Sequence, residues 1–140
     1  MSLCKGIFFV PAVAELHDLC FDKGWSEDEF RKLLALPTSR LWMDENSMLL
    51  CSEVAGEMEI LTIGVIPEMR RQHLAQKLLE ELFEYAQKHN IKRIFLEVAE
   101  DNSPAQKLYF KVGFKQMGRR NKYYARPNGY VDALCLVKEF

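Results

Sequence analysis

Hydrophobic positions along the chain switch between helical and strand-like spacing, which predicts a mixed α/β fold. The clearest helix follows His73, where apolar residues recur on one face and charged residues occupy the other. Its apolar face comprises Leu74, Leu78, Leu79, Leu82, Phe83 and Ala86. Asn90 is expected to end this helix, because asparagine tolerates the left-handed conformation found at many helix C-termini. An earlier helix is indicated by Val13, Leu16, Leu19 and Cys20.

Short apolar runs separated by turn-forming residues predict the strands. They cover residues 5–10, 40–45, 47–56, 57–66, 92–98, 114–124 and 131–137. The first is expected to end at Pro11, because proline cannot continue a strand in the middle of a sheet. The next three are expected to form an antiparallel meander.

Two more helices carry local start signals. Ser26, followed three residues later by Glu29, forms a capping box. The last helix is expected to have Ser103 at its N-cap, Pro104 in its first turn and Gly113 just after its end.

The order of these elements defines the expected fold. The strand at 57–66 and the strand at 92–98 flank a helix, so they are expected to lie parallel, joined by a right-handed crossover. We therefore expect an α/β fold with a mixed, mostly antiparallel sheet and helices on both of its faces. With 140 residues, the chain is expected to form a single domain over residues 1–140.

Composition narrows the class of protein further. Hydrophobic residues make up 49% of the chain and charged residues 28%, which excludes a disordered protein. A formal net charge of −1 gives no general reason to expect nucleic-acid binding. No apolar run is long enough for a membrane helix, and residues 6–14 make a poor signal peptide. We expect a cytoplasmic protein with neither a membrane nor a direct nucleic-acid partner.

The cysteines and histidines give no sign of a metal site. Cys4, Cys20, Cys51 and Cys135 form no CxxC pair, and no histidine lies at zinc-ligand spacing from two of them. The four thiols are expected to be small buried hydrophobes in a reducing compartment. His17 and His89 stand alone on predicted helices and are given no role.

The junction at residues 70–75, RRQHLA, is the first candidate for a functional site. A strand that turns into a helix leaves the first helical N–H groups unpaired, and the helix dipole adds partial positive charge there. Arg70 and Arg71 add two full charges, so phosphate or pyrophosphate is a suitable ligand. The alternative is that the two arginines merely solvate a loop.

Three further residues are candidates, each with a structural alternative. Glu97 interrupts an apolar strand, and a buried carboxylate either pairs with a cation or acts as a general base. It equally fits a strand-end glutamate that reaches solvent. Tyr109 fits a core tyrosine, and Asn102 fits a helix cap. Taken singly, Asp132 and the segment 119–124 are ambiguous.

Taken together, three segments resemble the GNAT acetyltransferase superfamily. They are ILTIGVIPEMRRQHLAQKLLEEL at 60–82, IFLEVAEDNSPAQKLYFKVGF at 94–114 and RRNKYY…PNGYVDALCL at 119–136. Within that superfamily they are most similar to the bacterial RimI type, the ribosomal-protein-alanine N-acetyltransferases. The resemblance covers nearly the whole chain and implies the GNAT fold, with acetyl-CoA as the cosubstrate and no metal.

The resemblance also assigns roles to residues. Backbone groups of Ile63, Gly64 and Val65 would bind the acetyl and pantetheine parts of acetyl-CoA. The pyrophosphate would lie on Arg70, Arg71, Gln72, His73, Leu74, Ala75 and Gln76, and Asn102 would also contact the cofactor. His73 replaces a glycine of the family motif. A histidine can keep ordinary helical dihedral angles there if its Cβ atom points away, so we expect cofactor binding to survive. Tyr123 and Tyr124 would shape the groove for a peptide substrate.

The implied reaction is direct acetyl transfer to a peptide α-amine, such as the N-terminal alanine of a small-subunit ribosomal protein. Glu97 would act as the general base, and the Val65 N–H would bind the oxyanion. Tyr109 would be the general acid for the leaving thiolate, a proton transfer that we expect to be downhill. Two alternatives stay open: acetylation of a small-molecule amine, and a non-catalytic module that binds CoA or a partner protein.

Overall fold

The computed structural model describes residues 2–4 and 9–140. Strands in this part of the chain are β1 Ser2–Cys4, β2 Ser39–Met43, β3 Ser47–Val54, β4 Glu57–Val65, β5 Arg93–Ala99, β6 Lys115–Arg126 and β7 Gly129–Glu139. Its α-helices are α1 Val10–Cys20, α2 Glu27–Leu34, α3 Leu74–Lys88 and α4 Ser103–Lys111. No helix among the described residues is long and apolar enough to cross a membrane.

The N-terminal strand prediction was wrong at its end. Residues 5–8 of the predicted strand lie outside the described residues, but Val10 begins α1. Pro11 lies in the first turn of that helix, where its missing N–H costs nothing and its fixed φ angle is helical. The proline therefore starts a helix here.

The seven described strands form one sheet in the order β1-β2-β3-β4-β5-β7-β6. Every neighbouring pair is antiparallel except β4 and β5, which confirms the predicted mixed sheet and its meander. The parallel pairing joins only residues 57–59 to residues 93–95. Beyond these residues β4 and β5 are no longer paired, and a cleft opens between them.

Helices pack on both faces of the sheet, as predicted. Alternate residues of β3 point to opposite faces, so Leu49 joins the core under α3 and α4, whereas Leu50 joins the core under α1 and α2. α3 buries Leu78, Leu79, Leu82 and Ala86. Asn90 adopts a φ of 55° after the end of α3, which confirms it as the stop signal.

Two predicted helix starts had different outcomes. The Ser26 hydroxyl accepts a hydrogen bond of 3.2 Å from the Glu29 N–H, as the capping box requires. In α4 the N-cap is Asn102 and not Ser103, because the Asn102 side-chain oxygen Oδ1 accepts from the Ala105 N–H at 3.3 Å. Both residue types make good caps, so the local pattern left a one-residue ambiguity.

His17 is a buried link between α1, β4 and the segment before α2. Its Nε2 lies 3.0 Å from the Thr62 hydroxyl, and its Nδ1 accepts from the Trp25 N–H at 3.0 Å. Because Nδ1 is an acceptor, the ring is neutral and carries its proton on Nε2. Burial lowers the pKa of His17 to about 4, although the nearby Glu29 and Asp18 act in the opposite direction.

We expect His17 to make the folded protein less stable in acid. The folded-state pKa lies below the ordinary value of 6.5, so the unfolded chain takes up this proton first as the pH falls. The contribution of neutral His17 to the free energy of unfolding is therefore complete above pH 6.5 and declines as the pH falls toward 4. The total loss is about 3 kcal/mol, because each unit of pKa shift corresponds to about 1.4 kcal/mol. The free energy of unfolding, measured by urea titration at several pH values in this range, should vary less with pH for His17→Gln than for the native protein. Parallel curves for the two proteins would contradict the prediction.

Candidate active site

The cleft exposes one edge of β4. The Ile66 N–H donates to the Asn46 carbonyl at 2.9 Å, so the alternate residues Thr62 and Gly64 also direct their backbone groups toward β3. The intervening residues Ile63 and Val65 direct their N–H and C=O groups toward the cleft. Such an edge can hold an extended, amide-containing ligand by strand-like hydrogen bonds.

A β-bulge accounts for the bend of β4 away from β5. Leu50 pairs with Thr62, whereas the next residue, Cys51, pairs with Ile60, so Leu61 is an extra residue. A bulge of this kind bends its strand and increases the local twist. Gly64 lies just beyond, and a Cβ atom there would come within 3.0 Å of the Cys20 Cβ. The glycine lets the end of α1 pack directly on the bent strand.

A cavity of about 370 Å³ lies between the N-terminus of α3 and one face of α4. Six of the seven residues 70–76 line it, and only the exposed Gln72 does not. Its basic lining comprises Arg70, Arg71, His73, Lys107 and Lys111. Within the described chain no carboxylate lines this cavity, so its electrostatic character favours a polyanion. Sequence reasoning missed both lysines, although their spacing of four places them on one helical face.

The backbone at this junction is shaped to bind an anion. The first intrahelical bond of α3 runs from the Lys77 N–H to the His73 carbonyl at 3.0 Å, which leaves the N–H groups of residues 74–76 ahead of it. Arg71 and His73 have φ angles of 65° and 60°. Left-handed residues in such a turn bring N–H groups together into an anion-binding concavity. His73 therefore does not adopt the ordinary helical dihedral angles that a histidine can keep at this position.

Arg70 differs from its neighbours because its guanidinium is already bonded. Its Nε donates to the Val65 carbonyl at 3.1 Å, and its Nη2 donates to the Cys20 carbonyl at 2.8 Å. These bonds tie the loop to the end of β4 and to the end of α1. Arg70 thus fixes the position of the loop, and Arg71 is exposed at the cavity.

A second cavity, of about 330 Å³, lies in the opening between β4 and β5. It brings together five of the predicted site residues, namely Ile63, Glu97, Asn102, Tyr109 and Tyr124. Tyr123 is absent from this lining and is half exposed, with its ring centroid 5.1 Å from that of Tyr124. The side-chain oxygen of Asn102 serves the α4 cap.

Glu97 and Tyr109 reach this second cavity from opposite faces of the sheet. Leu96 and Val98 belong to the core under α3 and α4, so Glu97 between them points to the other face. Tyr109 lies on α4 and packs in the core that Leu96 and Val98 share. A carboxylate and a phenol therefore flank the opening from its two sides.

Burial governs the chemistry of the tyrosines. It raises the pKa of Tyr109 to about 12, with a smaller contribution from Tyr124. Burial also raises the pKa of Tyr124, and the negative charge of Glu97 adds to the effect. A thiol has a pKa near 8.5. Full proton transfer from Tyr109 to a thiolate is therefore uphill, and the expectation that it is downhill was wrong.

The end of β6 next to Glu97 contains a second irregularity. Arg120 pairs with Ala133 and Tyr124 pairs with Val131, so residues 121–123 lie opposite Asp132 alone. The Asp132 carboxylate accepts from the Lys122 N–H at 2.9 Å and contacts Arg119 at 2.6 Å. These bonds hold the bulge that carries Tyr123 and leads into Tyr124.

Three features fit an enzyme that transfers an acyl group from a phosphorylated carrier: a strand edge that can bind an amide chain, a basic cradle for a polyanion, and a carboxylate that faces a phenol across the opening. The chain belongs to the acetyltransferase (GNAT) family, whose family model matches residues 10–114. It is an acetyl-CoA-dependent N-acetyltransferase.

Relatives of this chain include [ribosomal protein bS18]-alanine N-acetyltransferases. The protein of that name from Haemophilus ducreyi is 38% identical over 80 residues, which span 57% of this chain and 55% of the relative. The Escherichia coli protein is 27% identical over 132 residues, or 91% of this chain and 89% of the relative. The crystal structure of the Escherichia coli ribosomal-protein-S18-alanine N-acetyltransferase shares the fold, with a TM-score of 0.88 and 24% identity over 99% of this chain and 92% of that one.

We expect His73→Gly to stabilise the protein without weakening cofactor binding. The left-handed conformation costs an L-residue about 1–2 kcal/mol, and the greater freedom of glycine in the unfolded chain offsets part of the gain. The net increase in the free energy of unfolding should be about 0.5–1 kcal/mol by urea titration. Calorimetry should give an acetyl-CoA Kd within about threefold of the native value, because the concavity is already formed. A gain above tenfold, about 1.4 kcal/mol, would show that the histidine obstructs the phosphates.

Proposed function

We propose that this protein acetylates the N-terminal α-amine of a protein, with the N-terminal alanine of a small ribosomal-subunit protein as its target. The observation that carries the proposal is the placement of Glu97 and Tyr109 on opposite sides of the opening between β4 and β5. The names of the relatives support the choice of acceptor. The GNAT domain would comprise residues 1–140.

The cofactor would lie along the cleft from one cavity to the other. Its pyrophosphate would lie on the N–H groups of residues 74–76, with Arg71, Lys107 and Lys111 supplying positive charge. Its pantetheine amides would bond to the free edge of β4 at Ile63, because the Val65 carbonyl already accepts from Arg70 Nε and the Val65 N–H would face the acetyl group. This path directs the thioester to the cavity that Glu97 and Tyr109 share.

The acceptor would approach on the face that carries Glu97. A peptide α-amine has a pKa near 8 and must lose a proton before or during attack on the thioester. Glu97 would take that proton, directly or through a water molecule, and the Val65 N–H would stabilise the oxyanion. Tyr109 would donate a hydrogen bond to the sulfur as the carbon–sulfur bond breaks. Tyr123 and Tyr124 would contact the peptide beyond its first residue.

Acetyl-CoA and a short peptide that begins with alanine test this assignment. We expect CoA release and a single acetyl group on the peptide's α-nitrogen, located by fragment mass spectrometry. The same peptide with a blocked N-terminus should be inert. Release of CoA with spermidine or free amino acids, but not with the peptide, would show that the acceptor is a small-molecule amine and not a protein N-terminus. Acetyl-CoA binding in calorimetry without turnover on any amine would favour a non-catalytic module.

A further inference from the structure

Arg120 contacts the carboxylate that the proposed function uses as its base. Its Nε lies 2.6 Å from Glu97 Oε1. The two residues belong to β6 and β5, which lie on either side of β7, about 9.6 Å apart at the usual strand spacing. Only a long side chain can cross the intervening strand.

The local sequence of β6 opens the path for that side chain. Cys135 of β7 lies directly opposite both Glu97 and Gly118. Because Gly118 has no side chain, the arginine two residues further along the strand can extend over Cys135 toward Glu97. The guanidinium carbon of Arg120 also lies 5.4 Å from the Tyr123 ring centroid, which restricts its motion.

The contact between Arg120 and Glu97 can orient the carboxylate without occupying both of its oxygens. A fork of two parallel hydrogen bonds would occupy both carboxylate oxygens. Here the closest approach joins one nitrogen, Nε, to one oxygen, Oε1, so we assign proton abstraction from the acceptor to Oε2. The ion pair lies at the surface beside the site: the Arg120 side chain is 60% exposed, that of Glu97 is 21% exposed, and Glu97 but not Arg120 lines the second cavity.

We propose that Arg120 is a positioning residue that holds Glu97 in the orientation required for proton abstraction. The inference rests on the proposed function and extends it to the segment 119–124, which the sequence left ambiguous. The bulge at residues 121–123 follows Arg120 directly and fixes the backbone of β6 there. It thereby sets the position from which the Arg120 side chain extends over β7 to Glu97. An error of about 1 Å in the position of a catalytic group can cost about 100-fold in rate.

The test compares three variants by steady-state kinetics with the alanine peptide. Arg120→Met should lower kcat at least tenfold and leave the acetyl-CoA Kd within about twofold. Arg120→Lys should recover part of the loss, because the ammonium group reaches a similar distance. Lys115→Met is the matched control, since it removes a cation from an exposed ion pair on the same strand, and it should retain full activity.

Chemical rescue separates positioning from a structural role. Guanidinium ion at tens of millimolar should restore activity to Arg120→Ala and leave the activity of Lys115→Met unchanged. Unchanged or increased activity in Arg120→Met would overturn the inference, and so would a loss that neither lysine nor guanidinium repairs. Failure of the proposed function is distinguishable from these outcomes, because the native protein would then leave the peptide unmodified.

Discussion

Replacing Tyr109 with phenylalanine is expected to lower kcat about 100-fold while the affinity for acetyl-CoA stays nearly unchanged. The ring is buried and packs against Phe114 at a centroid distance of 5.8 Å, a contact that phenylalanine preserves. The change therefore removes the hydroxyl and leaves the cavity wall in place. Among residues 2–4 and 9–140, the hydroxyl has no hydrogen-bond partner that would be lost.

The raised pKa of Tyr109 refines its expected role. A pKa of about 12 keeps the phenol protonated at any working pH, so the donor is always present. Complete transfer to a thiolate of pKa near 8.5 would cost about 5 kcal/mol. We therefore expect the hydroxyl to stabilise the developing charge on sulfur by a hydrogen bond. Such a contact forms only as the bond breaks, which is why kcat and not binding should change.

Calorimetry and steady-state kinetics on the same preparations check this prediction. Tyr130→Phe is the control, because it removes a hydroxyl from a tyrosine that is 65% exposed. It should be as active as the native protein. A Tyr109→Phe variant with native kcat would remove Tyr109 from the reaction. A large fall in acetyl-CoA affinity would instead indicate that the hydroxyl holds the cofactor in the ground state.

The parts of the fold that follow from local patterns were predictable from the sequence. The period of α3 places its leucines on one face, and Asn90 ends it, because both signals act within a few residues. The parallel relation of β4 and β5 follows from the helix between them. In contrast, the separation of β4 from β5 beyond their short pairing depends on the extra residue Leu61. That β-bulge is visible only in the register between β3 and β4.

The candidate site was predictable in its residues but not in its geometry. Glu97 and Tyr109 could be assigned roles only from the resemblance, since each also fits an ordinary structural position. The left-handed turn at His73 was missed, because a non-glycine residue in that conformation is uncommon. Lys107, Lys111 and the reach of Arg120 depend on tertiary contacts that no spacing along the chain encodes.

Glu97→Gln is expected to lower kcat/KM for the alanine peptide by about 100-fold near pH 7. The amide keeps the shape of the side chain but cannot accept the proton of the attacking amine. Its former partner Arg120 is 60% exposed, so water can solvate the guanidinium and folding should be little affected. Glu57→Gln provides the control, because it makes the same change in an exposed ion pair with Arg93.

The pH dependence distinguishes a base from a residue that only positions the acceptor. An α-amine with a pKa near 8 is mostly protonated at pH 6.5 and mostly free at pH 9. A missing base should therefore matter most at low pH, and the activity ratio between Glu97→Gln and the native protein should rise as the pH increases. The acetyl-CoA Kd should be the same for both proteins. A ratio that is constant from pH 6.5 to 9 would show that Glu97 positions the acceptor, and the proton would then have to leave through another group.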